Sequence, residues 1–271
     1  MRAAAALRGR ERPGLRLCFG AAPLALYIAL PLGALFVVVP VGELASHLGS
    51  PMALRALRLT LETTLAATFL AVLFGTPLAY LLARREFRGR AALDALVELP
   101  ITIPPVVAGV ALLLAFGRRG LLGRHLELAG VSLPFTTIAV VMAQLFIASP
   151  FFVKAARAGF ESVEPRLEDA ARSLGASPWR VFWTVSAPLA RPALVSGVVL
   201  AWARALSEFG ATMMFAGNLP GRTQTLTLAV MTALETDLET AVAVSALALV
   251  LALAALLGAR WLGGRVGVPN V

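Results

Sequence analysis

The chain has 271 residues, of which 59% are apolar and 14% charged, and its mean hydropathy is +0.83. Soluble domains average about 45–50% apolar and about 25% charged residues, so an ordinary water-soluble domain is excluded, as is a disordered chain, which needs low hydrophobicity. The net charge of +9 does not point to nucleic acid, because such binders carry Lys and Arg on water-exposed faces, whereas here most Arg residues sit beside apolar runs.

The first 20 residues are basic, with Arg2, Arg8, Arg10, Arg12 and Arg16. An apolar run from Leu17 to Val41 follows. A membrane helix needs about 20 mostly apolar residues, and this run suffices. It is longer than the roughly 7–15 residues of a signal-peptide core and no small-residue cleavage site follows. A retained membrane helix is therefore expected, with Cys18, the lone cysteine, as a structural apolar residue. Five further runs qualify: Leu57 to Ala83, Leu93 to Phe116, Phe135 to Val153, Ala193 to Ala216, and Ala241 to Leu262. None alternates as barrel strands do. The expected fold class is all-α and polytopic, with six transmembrane helices. The organisation read from these runs is a basic segment 1–20, a membrane domain 21–262 with its core at about 57–262, and a tail 263–271.

Basic residues orient membrane helices, because they are enriched in cytoplasmic loops. With the N-terminus inside, 17 of the 24 Lys and Arg residues fall on the cytoplasmic side and 6 outside, with Arg204 within a span. Both termini are therefore expected in the cytoplasm.

The third span holds Pro100, Pro104 and Pro105. Proline removes a backbone donor and kinks a helix, and the freed carbonyls must face protein or a cavity. This segment is expected to break and to line a pathway, with ordinary helix packing as the alternative. Thr102, Gly109, Ser207, Gly210 and Thr212 are further lining candidates, although small and hydroxyl residues also serve helix contacts. In the fifth span Arg204 and Glu208 lie four apart and share a helix face. They form either an internal ion pair that lowers the insertion cost or a cation near an anion path.

The longest inner segment, about Lys154 to Pro192, carries helix signals. Pro165 suits a first helical position. Leu167, Ala170, Ala171 and Leu174 then recur at helical spacing, and Gly175 follows where a terminating glycine belongs. Ser177-Pro178 opens a second short helix with Trp179, Phe182, Trp183 and Val185, which Pro188 is expected to stop. The apolar stripes either pack on the membrane domain or fill a groove on a partner protein.

The run Asp169-Ala170-Ala171-Arg172-Ser173-Leu174-Gly175-Ala176-Ser177 resembles the EAA loop of bacterial ABC importer permeases, with Asp169 in the Glu place and Ala187-Pro188 in the Leu-Pro place. The stretch from Leu99 to Gly109, then Phe116-Gly117-Arg118-Arg119-Gly120, is similar to molybdate-type permeases. So is Ala203 to Thr212, running into Gly217 to Thr225. The resemblance implies a type I permease fold and a homodimer forming one pathway in the inner membrane. It also implies an ATPase dimer below and a periplasmic or extracellular oxyanion-binding protein above. Loop 157–192 would be the coupling element, with Asp169, Ala170, Ala171, Gly175, Ser177, Pro178, Trp179 and Pro188 carrying it.

A phosphate-binding loop needs Gly-Lys-Ser/Thr, but the only lysine, Lys154, precedes Ala155. No catalytic residue and no cofactor are expected in this chain; ATP and Mg would sit on the partner. His47 and His125 are isolated, so no metal site is expected. The expected substrate is molybdate, with tungstate or sulfate as alternatives within the family. A secondary transporter driven by ions is the alternative from another class, its cue being Glu62, Glu98 and Glu208. Lipid is the implied surrounding, and nucleic acid is not a partner.

Overall fold

The computed structural model describes the backbone of residues 15–37 and 49–265 and the side chains of residues 20–37 and 49–258. The basic side chains from Arg2 to Arg16, the Cys18 side chain, His47, the expected end of the first span at Val41, the side chains of Arg260 and Arg265, and the final residues of the tail lie outside the described residues.

Among the described residues every regular element is helical. In chain order they are α1 Leu15–Val37, α2 Pro51–Arg84, α3 Arg90–Thr102, α4 Pro105–Phe116, α5 Gly123–Leu128, α6 Thr137–Glu161, α7 Pro165–Ser173 and α8 Pro178–Val181. A π-turn at Phe182–Ser186 leads into α9 Ala187–Leu206, followed by α10 Gly210–Ala216, α11 Leu226–Leu234 and α12 Leu238–Arg265. Five helical runs are long and apolar enough to cross a bilayer, and the bent pair α3–α4 makes a sixth.

The centre of the bundle is α2, α6 and α9. Its core mixes Ala79, Ala148, Ala156, Ala190, Ala201 and Ala205 with Leu82, Phe152 and Phe160. Lipid gives helices no hydrophobic reason to associate, so small residues that allow close backbone approach drive the packing. A Cβ added at Gly159 would lie 2.5 Å from the Ala193 Cβ, and one at Gly75 would lie 2.8 Å from the Phe152 ring. Gly159→Leu is therefore expected to destabilise the fold by about 1–3 kcal/mol, the usual cost of overpacking. A lowered unfolding midpoint in detergent checks this, and an unchanged midpoint contradicts it.

Threonines in α2 keep their hydroxyls bonded inside the bundle. Thr60, Thr63 and Thr64 donate to the carbonyls of Ala56, Leu59 and Thr60 at 2.7, 2.8 and 2.7 Å. The Thr60 hydroxyl also accepts the Leu226 N–H at 2.8 Å, which fixes the start of α11, and Thr64 accepts the Trp202 indole N–H at 3.1 Å. Helix α11 was not expected from sequence, because nine residues are too few for a span.

At one end of the bundle α3 is held to α6 by ion pairs. Lys154 meets Glu98 at 2.8 Å, Arg157 meets Asp94, and Arg157 also bonds Glu161 at 2.8 Å. Arg84 lies at the same end, where it donates to the Val163 carbonyl beyond α6. Residues expected on the cytoplasmic side thus gather together. The carboxylates that suggested proton coupling are all paired: Glu62 with Arg58 at 2.7 Å, Glu98 with Lys154, and Glu208 with Arg204 at 3.1 Å.

Candidate functional site: a coupling hairpin and two broken spans

Helices α7 and α8 form a hairpin on that basic end. Pro165 occupies the first position of α7. At its end the Gly175 N–H donates to the Arg172 carbonyl at 2.9 Å and the Ala176 N–H to the Ala171 carbonyl at 3.1 Å. This double closure requires a left-handed residue, and Gly175 supplies it with φ +86°. Ser177 then caps α8, its hydroxyl accepting the Arg180 N–H at 3.3 Å, with Pro178 at the first helical position.

The burial of the hairpin bears on the two alternatives left open by the sequence. Glu168 is the one buried residue of α7, while Leu167 and Leu174 face outward. Trp179 and Trp183 are 70% and 54% exposed. The stripes therefore divide: Leu167, Leu174, Trp179 and Trp183 stay open within the described residues, whereas Val181 is buried and Phe182 packs on the bundle. Phe182 roots the exposed pair: its ring lies 5.1 Å from Tyr80 and 5.9 Å from Phe160, and Trp179 stacks on it at 6.2 Å. Asp169 is exposed and accepts a bond from Arg172 at 2.8 Å; Ala170 is exposed and Ala171 half-buried.

Pro188 does not stop the second helix. Just before it the ladder widens, and the Ala187 N–H reaches back to the Phe182 carbonyl, five residues away. A π-turn makes room in this way for a residue that cannot donate. The hairpin therefore continues without interruption into the span ending at Leu206.

The third span breaks, as its prolines suggested, and turns through 120°. Pro100 nevertheless lies inside α3, and the break falls at extended Ile103 and Pro104, with Pro105 opening α4. A residue before proline is pushed to extended backbone, so the paired prolines set the position. The fifth span breaks too. Helix α9 ends at Leu206, and Glu208 lies in the break, not one turn along a continuous helix. Its Oε1 accepts the Ala211 N–H at 2.8 Å and caps α10, its Oε2 meets Arg204 at 3.1 Å, and its carbonyl accepts the Thr227 hydroxyl at 2.8 Å.

The two breaks meet. A Cβ on Gly210 would sit 3.0 Å from the Pro105 Cβ, and one on Gly109 would sit 2.6 Å from the Met214 Cβ and 2.9 Å from Ala211 backbone. Gly109, Gly210 and Thr212 are buried in this crossing, while Thr102, Pro104 and Ser207 are exposed beside it and Pro105 is half-buried. Arg204 is partly open, with one guanidinium nitrogen 3.2 Å from the Ser207 hydroxyl.

Residues 71–268 match the family model described as the binding-protein-dependent transport system inner membrane component. The chain belongs to that family. It is a multi-pass inner-membrane permease. The molybdenum transport system permease protein ModB of Mycobacterium tuberculosis is 44% identical over 212 residues, covering 78% of this chain and 80% of the relative. The ModB of Escherichia coli K12 is 42% identical over 183 residues, covering 67% and 80%. The molybdate/tungstate transport system permease protein WtpB of Thermococcus kodakarensis is 40% identical over 204 residues, covering 74% and 77%. The permease fold matches a chain in the crystal structure of a bacterial alginate ABC transporter bound to its periplasmic protein, with TM-score 0.73, 16% identity and coverage of 95% and 94%. It also matches a chain of the MetNI methionine ABC transporter, with TM-score 0.59, 18% identity and coverage of 79% and 96%.

Sequence reading passed over Glu168, Arg84 and Ser186. The signal was present in part: a lone carboxylate next to the motif acid, in phase with no apolar stripe. Its partners lie 84 and 18 residues away and no local pattern reveals them.

Proposed function

We propose that this permease is the membrane subunit of an ATP-driven importer of a tetrahedral oxyanion, molybdate first. Two copies would form one pathway, with an ATPase dimer docked on the hairpin and an oxyanion-binding protein at the opposite face. The observation that carries the importer reading is the hairpin: rooted by Phe182, it turns Leu174, Trp179 and Trp183 to solvent. Aromatic and Arg residues are those enriched in interface cores. ATP and Mg belong to the partner, because this chain has no phosphate-binding loop. The substrate rests on the identity to proteins named as molybdenum permeases.

The pathway is assigned to the crossing of the broken spans. Exposed Thr102, Pro104 and Ser207 with Arg204 form its lining, while Gly109, Gly210 and Thr212 hold the two breaks together behind it. Transport needs contacts weak enough to release the ion. Glu208 neutralises Arg204, so a passing divalent anion meets no unpaired deep cation. Tungstate shares the size and charge of molybdate and is expected to be carried as well, in keeping with the relative named for both anions.

The complex of permease, ATPase and binding protein in nanodiscs tests this. Molybdate- or tungstate-loaded binding protein is expected to stimulate ATP hydrolysis, and a two-to-two complex of permease and ATPase is expected by light scattering. Stimulation by sulfate alone overturns the substrate assignment, and a permease that recruits no ATPase overturns the class.

A further inference from the structure

We propose that Glu168 is the residue through which movement of the coupling hairpin reaches the membrane helices, a positioning role that rests on the ATPase-coupling reading above. Its side chain is 3% exposed and its two oxygens join α7 to two other segments. Oε1 accepts from Arg84 Nε at 2.9 Å and from the Ser186 hydroxyl at 2.8 Å, and Oε2 meets Arg172 at 3.1 Å. Arg84 also donates to the Val163 carbonyl at 2.8 Å. One carboxylate thus ties α7 to the last residue of α2 and to the π-turn that leads into α9, and through Arg84 it reaches the link after α6.

The kind of attachment matters. Glu168 is the one buried residue of α7, and among its apolar side chains only Ala171 is even half-buried, so the helix is held chiefly by its ion pairs. Charge-assisted bonds to a guanidinium are short and directional. A rotation of the hairpin therefore moves the Arg84 end of α2 with it. Helix α2 runs for 34 residues, and its Thr60 holds the first N–H of α11 near the other end of the bundle. Glu168 and Arg84 are the coupling point, and α2 is the rod. By contrast Asp169, the motif acid, is exposed, and its bonds to Arg172 and Ser173 stay within α7.

The test is Glu168→Gln in the full complex of permease, ATPase and binding protein in proteoliposomes. Glutamine keeps the shape and an acceptor for Ser186 but removes the charge between Arg84 and Arg172. Uptake and ATP hydrolysis are read on the same vesicles. The expected result is an assembled complex whose oxyanion uptake per ATP falls by about tenfold or more, since breaking a buried pair is costly. Arg84→Gln is expected to give the same loss, and the double variant no further loss, because both act through one contact. Glu168→Asp, which keeps the charge, is expected to restore part of the ratio. A wild-type ratio in Glu168→Gln overturns the proposal. So does loss of inserted permease in both Glu168→Gln and Arg84→Gln, which would make the pair a folding element. Failure of the wild-type permease to bind an ATPase is a different result and strikes the functional reading itself.

Discussion

Gly175→Val is expected to yield a permease that inserts and folds but recovers at least about tenfold less ATPase in a pull-down, since about 1.4 kcal/mol is a factor of ten in association. The reason is confined to the backbone. Gly175 has φ +86°, and a Cβ added there would meet nothing within 4 Å. The left-handed region costs an ordinary residue about 1–2 kcal/mol, and a β-branched residue is the least suited to it. The turn relieves the strain by rotating the arm that begins at Ser177, which moves the exposed Trp179 and Trp183 out of the position in which they are presented to the ATPase. Asparagine tolerates this conformation better than valine, so Gly175→Asn is expected to bind ATPase more tightly than Gly175→Val. Equal recovery of ATPase by Gly175→Val and wild type contradicts the expectation, and so does a general loss of folded permease.

Trp179→Ala together with Trp183→Ala is expected to weaken ATPase binding by about 2 kcal/mol or more, roughly thirtyfold, the size of an interface hot spot. Both rings are largely exposed, so little internal packing is lost. The unfolding midpoint of the permease alone is expected to stay near wild type. Affinity measured on permease in nanodiscs with soluble ATPase checks this. A lowered midpoint with unchanged affinity would show instead that the tryptophans serve the bundle.

The spans were legible because apolar length is a strong signal. Among the described ends most move by three residues or fewer, while α2 starts six residues earlier, α6 ends eight later, and α9 starts six earlier and ends ten earlier than expected. The hairpin turn was legible for the same kind of reason: Gly175, Ser177 and Pro178 each act on the backbone beside them. What local pattern could not supply was direction. Leu167 and Leu174 at helical spacing marked an apolar face but left open whether it met the membrane domain or a partner; it points outward because a charge, Glu168, has its partners on the bundle side. Pro188 misled. A proline normally ends a helix, but five preceding residues adopted a π-turn and carried the helix through. Among the small residues of the broken spans, composition alone could not separate Gly109, which lets α4 meet α10, from Ser207, which is open. That distinction exists only once two distant segments cross.

The central claim is that a partner's ATP hydrolysis, delivered through the hairpin, drives this permease. It is tested most directly by uptake of labelled molybdate into proteoliposomes holding permease, ATPase and binding protein, with ion gradients collapsed by ionophores. Uptake that requires internal ATP and persists without any gradient is the predicted result. Uptake that proceeds without ATP and stops when the gradient collapses would contradict it.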